Sequence, residues 1–432
     1  MIPRLVLAEL VGGWRLWAGA FVVCVVAALI ALVCAGDVST AAILSEAQNP
    51  SGLINHALVF GAMNVPVVIG ALNILLVYVV RLQRTHHALW QFGGVTPKLI
   101  RRIVVLQVGV VGVLAFLVAL VLAAPTLRFL LNGLSAAVRG TEEEQITEVA
   151  LSPAPTAIAF TVFLMVVVGS ASSAARAASR TPALVAVRAP AEEPSRPSRA
   201  RTVAGAIVLA VAGVLWAVTL NGGSGYLDFS QILVIIAFLL VAPVASQVVM
   251  EGWTRLMPFR SPSWFLAKEF AHHNVVRSHA GISLLVVAAG IGVETGYIGL
   301  WQDPEYFSIA LAIFGTPIAL VLVTGAATIF MTATHRRREA ALLVVSGGTY
   351  GTAVRAAVVE AVIFVITALI LGVVVALPSA LGPQPGGTWW QAFVPLPFVL
   401  GLGLALLLTT TVAPVLQARR RVLSVELARE SA

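Results

Sequence analysis

The chain has 432 residues, of which 59% are apolar and 11% charged, and its mean hydropathy is +0.97. An ordinary soluble protein is about a quarter charged, so this composition excludes a water-soluble globular domain. The net charge of +8 comes from 27 Lys and Arg against 19 Asp and Glu. Because the basic residues stand between long apolar runs, they read as membrane-orientation signals, and no nucleic-acid partner is expected.

From the N-terminus onward, ten apolar runs match the ~20 residues that a helix needs to cross a bilayer. They lie at roughly 17–36, 58–80, 103–124, 155–175, 203–220, 231–250, 280–300, 306–332, 354–377 and 390–415. The first run follows a segment with Arg4, Glu9 and Arg15 that is too long and mixed for the basic leader of a signal peptide. It is expected to stay as a spanning helix. Cys24 and Cys34 both fall in this run, ~15 Å apart along one helix, and cannot bond to each other.

Charge sets the orientation, since Lys and Arg are retained on the cytoplasmic side of short loops. With a cytoplasmic N-terminus, Arg128 and Arg139 alone of the basic residues fall outside, whereas nine acids collect there: Asp37, Glu46, Glu142, Glu143, Glu144, Glu148, Asp228, Asp303 and Glu305. Both termini are then cytoplasmic, in a multi-pass bacterial plasma-membrane protein. Trp301, Tyr306, Trp389 and Trp390 fall at the expected outer edges, and Trp14, Trp17 and Trp253 at the inner ones. The sizeable outer loop is 125–154, where Leu127 to Val138 reads as a short amphipathic helix before an acidic run. Inside, 189–201 has the Pro, Ser and Arg composition of a linker.

Two of the inner loops match each other at an offset of 254 residues. The first runs Arg84-Thr-His-His-Ala-Leu-Trp-Gln-Phe-Gly93-Gly94 to Arg101, and the second Arg338-Glu-Ala-Ala-Leu-Leu-Val-Val-Ser-Gly347-Gly348 to Arg355. Each has the order basic, apolar, Gly-Gly, basic. Arg15 to Gly19 and Arg277 to Gly281 open the two units in a similar way, and basic tails close them. Each repeated loop reads as a short amphipathic helix beneath the bilayer, with Gly93 and Gly347 permitting the tight exit into the next span.

On these residues the chain resembles the FtsX-like permease domain of ABC transporters, found in lipoprotein-releasing, macrolide-efflux and bacitracin-resistance type systems. The second copy carries the likeness best, from Arg336-Arg-Arg-Glu-Ala-Ala through Gly347-Gly348-Thr to Glu360, thirteen residues after Gly347. The first copy has Gln107 near the acidic position, and Arg180 to Arg188 and Arg421 to Leu427 look like the family's basic ends. The resemblance implies an all-α membrane protein of about ten transmembrane helices. Two parallel four-helix units, 1–189 and 253–432, would be joined by two linking helices within 190–252. The chain departs from the ten-helix bacitracin-resistance type in having no large extracellular domain.

No P-loop is possible, because the two lysines, Lys98 and Lys268, are followed by Leu99 and Glu269 rather than Ser or Thr. The resemblance therefore implies a permease, not an enzyme, with cytoplasmic ABC-type ATPase subunits, two per chain, docking on the repeated loops. The coupling residues would be Arg84, Leu89, Gly93 and Gly94 in the first copy and Arg338, Leu343, Gly347 and Gly348 in the second. No cofactor is expected. His86-His87 and His272-His273 are neighbours that do not share a helix face and read as solvated rather than metal-binding. Glu294, in Gly290-Ile-Gly292-Val-Glu294-Thr-Gly296, and Glu360 are carboxyls inside expected spans, where ionisable groups face inward. Glu294 reads either as a cavity-lining group or as a packing residue, Glu360 as a coupling residue. The small outer loops favour export or extraction of a lipid-like, hydrophobic-peptide or drug-like substrate. The alternative is a mechanotransmitting protein that passes ATPase motion to an extracellular partner through 125–154. A third class is a gradient-driven secondary transporter, which would have no ATPase bound.

Overall fold

The structure is a computed structural model that describes residues 2–43, 50–138, 150–180, 199–221, 227–257, 261–273, 281–293, 315–327, 340–382 and 393–419. Their regular elements are all helices, as expected where a bilayer offers backbone groups no water and each must be satisfied within its own segment. The first unit begins with α1 (Ile2–Gly12), α2 (Trp14–Ala41), α3 (Pro50–Leu82), α4 (Arg84–Phe92), α5 (Pro97–Val138) and α6 (Pro153–Arg180). There follow α7 (Arg199–Leu220), α8 (Leu227–Leu256), α9 (Pro262–His273), α10 (Gly281–Val293) and α11 (Gly315–Ala327). The helical stretch 340–345 is α12, followed by α13 (Tyr350–Ala380) and α14 (Pro395–Arg419).

Among the described residues eight helices are long and apolar enough to cross a membrane, and the chain is a multi-pass α-helical membrane protein. They fall on the first six and last two of the expected apolar runs. The seventh and eighth runs are described over Gly281–Val293 and Gly315–Ala327.

Helix ends differ from the sequence expectation in two places that matter later. Helix α2 continues to Ala41, which carries Asp37 into the helix as a buried residue. The amphipathic helix expected at Leu127 to Val138 is not a separate element, because α5 runs unbroken from Pro97 to Val138 through Pro125. Packing explains the continuity. Leu127 is fully buried against α2, where a Cβ on Gly36 would lie 2.5 Å from the Leu127 side chain. Beside the proline, the Thr126 hydroxyl donates to the Leu122 carbonyl at 2.8 Å.

The chain divides into two compact units, Met1–Glu193 with Gln302–Thr324, and Pro194–Trp301 with Gly325–Ala432. In the first, α2 packs against α3, α5 and α6. In the second, α13 packs against α8, α9 and α14, and every residue of α10 is buried. A helix apolar on all sides belongs in such a place. Glycines set how closely its neighbours come, since a Cβ on Gly292 would sit 2.9 Å from Val399 of α14, and one on Gly372 of α13 would sit 2.8 Å from Ala289. Polar side chains tie the α13 backbone to α7 and α8: the Trp216 indole donates to the Pro378 carbonyl at 3.0 Å, and the Gln231 amide to that of Val375 at 3.2 Å.

Candidate functional site

The two loops singled out by their repeated sequence fold as the same structural device. In the first, α4 ends at Phe92, Gly94 takes the left-handed conformation at φ 86°, and the chain re-enters a helix at Pro97. Two hydrogen bonds close the turn: the Val95 N–H donates to the Trp90 carbonyl at 2.9 Å and the Gly94 N–H to that of Gln91 at 3.0 Å. In the second, Gly347 is left-handed at φ 95°, the Gly348 N–H donates to the Leu343 carbonyl at 2.9 Å, and the Gly347 N–H to that of Val344 at 3.1 Å. This paired arrangement satisfies carbonyls that the last turn of a helix leaves without partners. A threonine follows in each case. The carbonyl of Thr96 accepts the Leu99 N–H at 2.9 Å, and the Thr349 side chain caps α13 by accepting the Thr352 N–H at 3.1 Å.

The geometry corrects the alignment of the two copies. Left-handed Gly94 corresponds to left-handed Gly347, an offset of 253 rather than 254, whereas Gly93 has an ordinary φ of −75°. The residue that permits the first tight exit is thus Gly94, not Gly93. At this offset Arg102 meets Arg355, and Gln107, thirteen residues after Gly94, falls on Glu360. Burial follows the same register. Ala88 and Ala341, Ile100 and Ala353, Val104 and Ala357, and Gln107 and Glu360 are buried in pairs. Leu89 and Leu342 are 57% and 48% exposed, and Phe92 and Val345 are 59% and 61% exposed.

This register also changes which side chain faces outward in the second copy. Leu343 packs against the buried cluster of Ala340, Ala353, Ala357 and Val415, and Leu342 is the outward counterpart of Leu89. Gly93 and Gly94 are exposed, and Gly347 and Gly348 lie exposed and half-buried. Gly348 needs to be a glycine for a different reason from Gly347, since a Cβ there would meet the Leu343 carbonyl oxygen at 2.8 Å. Arg84 begins α4, and its side chain is outside the described set, as are the whole of Arg338 and Glu294. Glu360 is buried on α13 and Gln107 on α5.

Each device therefore presents two outward apolar side chains on the last turn of a short helix, fastened to a long helix by a glycine turn. Such a knob suits attachment to another protein. It offers no reactive constellation, and among the described residues no three His, Cys, Asp or Glu side chains gather as a metal site.

One polar pair escaped the reading from sequence. Asp37 near the end of α2 and His56 near the start of α3 meet at 2.8 Å, carboxylate to Nδ1, with Asp37 almost wholly buried. A carboxylate placed just past an assumed span, followed by a histidine just before the next, was the available signal. From the sequence Asp37 counts merely as one of the outer acids, because α2 and α3 are both longer than their most apolar windows.

No protein-family model matches the chain, and no curated protein matches it.

Proposed function

We propose that this chain is the permease subunit of an ATP-driven transporter of the FtsX-like kind, exporting or extracting a lipid-like, hydrophobic-peptide or drug-like substrate. Cytoplasmic ABC-type ATPase subunits would dock one on each capped turn, two per chain, and the plasma membrane of a bacterium would be its location. The observation that carries this reading is the duplication of the turn: the same left-handed glycine, outward apolar pair and buried polar residue thirteen positions on. A docked subunit that moves such a turn moves the whole of α5 or α13, because the glycine cap and the hydrogen bonds across it leave little slack. Two parallel units joined by linking helices would let two such levers work together. Glu360 and Gln107, buried near the base of these levers, would act in coupling rather than touch substrate.

A second reading is transmission of ATPase motion to an extracellular partner without solute transport. It draws on α5, whose 42 residues amount to ~63 Å of helix, well beyond a ~30 Å hydrocarbon core.

The decisive experiment uses Leu89 and Leu342, which are exposed and whose replacement leaves the turns intact. Substituting acids at Gly93 or Gly347 is less informative, since at Gly347 it strains the backbone as well. Where the neighbouring reading frame encodes an ABC-type ATPase, the chain is co-expressed with it and purified as a complex. Leu89→Glu and Leu342→Glu are each expected to remove one of two bound ATPase subunits, and the double variant to remove both. Full recruitment by the double variant would reject the docking proposal. If ATPase binds but deletion of 139–149 abolishes the physiological output without changing substrate-stimulated hydrolysis, the transmitter reading replaces export.

A further inference from the structure

Between Glu46 and Glu142 the chain has no acidic residue, yet Arg81, Arg84, Lys98, Arg101 and Arg102 stand there around the first capped turn. Lys98, Arg101 and Arg102 are exposed on α5. None of the three is in an ion pair among the described residues, and Glu9 of α1, which packs against α5, makes none with them. Arg201 and Arg255 are engaged by contrast, with the Leu239 carbonyl at 2.9 Å and the Glu251 carboxylate at 3.2 Å. Like charges three and four residues apart on a helix repel one another, and an anion beside them relieves that repulsion.

The helix itself indicates what carries the anion. Lys98, Arg102, Leu106, Gly109, Val113 and Leu117 follow one another at intervals of three or four residues and share one face of α5. Leu106, Val113 and Leu117 are 48%, 37% and 54% exposed, whereas Ile103, Val104, Val108, Ala115 and Phe116 are buried on the packed side. A Cβ on Gly109 would meet nothing within 4 Å, so the face has a bare stretch between Leu106 and Val113. On a spanning helix such an exposed apolar face is covered by acyl chains. From Arg102 to Val113 the helix rises roughly 16 Å, about half of the ~30 Å hydrocarbon core. The cations thus stand at the foot of a lipid-facing stripe one leaflet long, and their long side chains reach headgroup level.

The second copy lacks this arrangement. Gly351, Val354 and Arg355 take the places of the three cations, and Val359, Val362, Ile366 and Ile370, at the positions of Leu106, Gly109, Val113 and Leu117, are all half-buried. Retaining a loop in the cytoplasm asks for basic residues near a span. It does not ask that they line up with the lipid-facing side of that span. An acidic protein surface would complement the cations as well, but it would leave the stripe above them uncovered.

We propose that this face of α5 binds an anionic phospholipid of the inner leaflet, its phosphate beside Lys98, Arg101 and Arg102 and an acyl chain along Leu106, Gly109 and Val113. The site belongs to the first unit alone. It goes beyond the transport reading, with which it shares the cytoplasmic placement of the turn, because it concerns lipid bound by the chain without any ATPase.

The test is native mass spectrometry of the full chain in a non-ionic detergent, titrated with phosphatidylglycerol or with phosphatidylcholine of the same acyl chains. Attraction to an anionic head is worth roughly fivefold in affinity for each nearby cation, so phosphatidylglycerol is expected to bind at least ~tenfold tighter. The triple variant Lys98→Gln, Arg101→Gln, Arg102→Gln should bring phosphatidylglycerol down to the level of phosphatidylcholine and leave the latter unchanged. Arg128→Gln, towards the far end of α5, and Arg355→Gln, in the second copy, should keep the full preference. All five positions are exposed, so the variants are expected to fold. Equal binding of the two lipids to the wild-type chain would overturn the proposal, as would a preference that survives in the triple variant or is lost in Arg355→Gln. Complete displacement of phosphatidylglycerol by inorganic phosphate would overturn it too, since the acyl chain would then contribute nothing. A triple variant that keeps its lipid preference but no longer recruits ATPase would assign the cations to the protein partner instead. Loss of recruitment in Leu89→Glu and Leu342→Glu leaves the lipid result untouched, and failure here leaves the docking of an ATPase untouched.

Discussion

The capped turn before α5 and the capped turn before α13 share a backbone and almost no side chains. Around the first stand exposed Lys98, Arg101 and Arg102; at the corresponding positions of the second stand Gly351, Val354 and Arg355. Where the first has Val95, the second has Gly348, and the buried Gln107 of α5 gives way to the buried Glu360 of α13. What persists is the left-handed glycine, the threonine after it, the outward apolar pair and the inward small residues. The shape of the device is therefore held by a few backbone requirements, while its charge is free to differ. Two partners reading these turns would meet the same knob in unlike electrostatic surroundings. The first would weaken more with added salt, because exposed charges are screened and apolar contacts are not.

The strongest way to break this correspondence is at the residue after the left-handed glycine. Gly348→Leu places a Cβ 2.8 Å from the Leu343 carbonyl oxygen, which is backbone and cannot step aside. Overpacking of this kind costs about 3 kcal/mol at the upper end of its usual range. The matching change in the first turn, Val95→Leu, replaces one side chain by another and should stay within ~0.5 kcal/mol. Hydrogen exchange reads the difference directly. Protection of the Gly347 and Gly348 amides should collapse in Gly348→Leu, while that of the Gly94 and Val95 amides survives Val95→Leu. Undiminished protection in Gly348→Leu would show that the second turn accommodates a side chain as the first does at Val95.

A smaller effect decides the register. Gly94→Ala and Gly347→Ala each force a Cβ into the left-handed region, at ~1–2 kcal/mol per residue. Gly93→Ala should cost less than either, because its φ of −75° is ordinary and its Cβ, 3.3 Å from the Trp90 carbonyl, needs a shift of a few tenths of an ångström at most. Thermal unfolding of the three purified variants checks this. Were Gly93 and Gly347 the sensitive pair, the offset of 254 would be restored and the pairing of Gln107 with Glu360 lost.

Much of this was legible in the chain itself, and the exceptions have physical causes. Hydropathy finds spans well because the demand of the bilayer on backbone groups is uniform, and the eight long helices fall on expected runs. Helix ends were less legible. The apolar window of α2 stops before Asp37, yet the helix does not, because Asp37 finds His56 and Ser39 and Thr40 find Ser152 and Ala150. The glycine pair was visible as a motif. Which of its two glycines is left-handed depends on where the preceding helix ends, and α4 runs one residue further into its pair than α12 does. An alignment that matches Gly-Gly to Gly-Gly is thereby displaced by one, turning Leu343 outward where Leu342 belongs. The surface helix α9 was missed because Pro262 to His273 mixes apolar and charged residues too evenly to stand out as a span.

That helix supplies the subtlest distinction between the halves. Both α1 and α9 are short helices lying ahead of a buried or spanning segment, but α9 carries, one residue before its end, a histidine engaged with the rest of its unit. His272 Nε2 lies 3.3 Å from the Thr254 hydroxyl, whose own proton goes to the Met250 carbonyl at 2.6 Å, so the histidine is the donor. Burial lowers the pKa of His272 from its ordinary value near 6.5; Lys268 and Arg255 push the same way, and Glu251 and Glu269 oppose them. Folded His272 thus takes up its proton at lower pH than the unfolded chain does. Between those two values the unfolded state binds more protons, so stability rises with pH there. The anchorage of α9 is complete above pH ~6.5 and declines as pH falls through the lowered value. Trp253 of α8 and Trp264 of α9, whose rings meet edge to face at 6.1 Å, report on it. The tryptophan emission of the wild-type chain should change between pH 7 and pH 5 in a way that His272→Gln removes. A His272→Gln chain that retains the full pH response would assign the titration to another group and leave α9 no more pH-sensitive than α1.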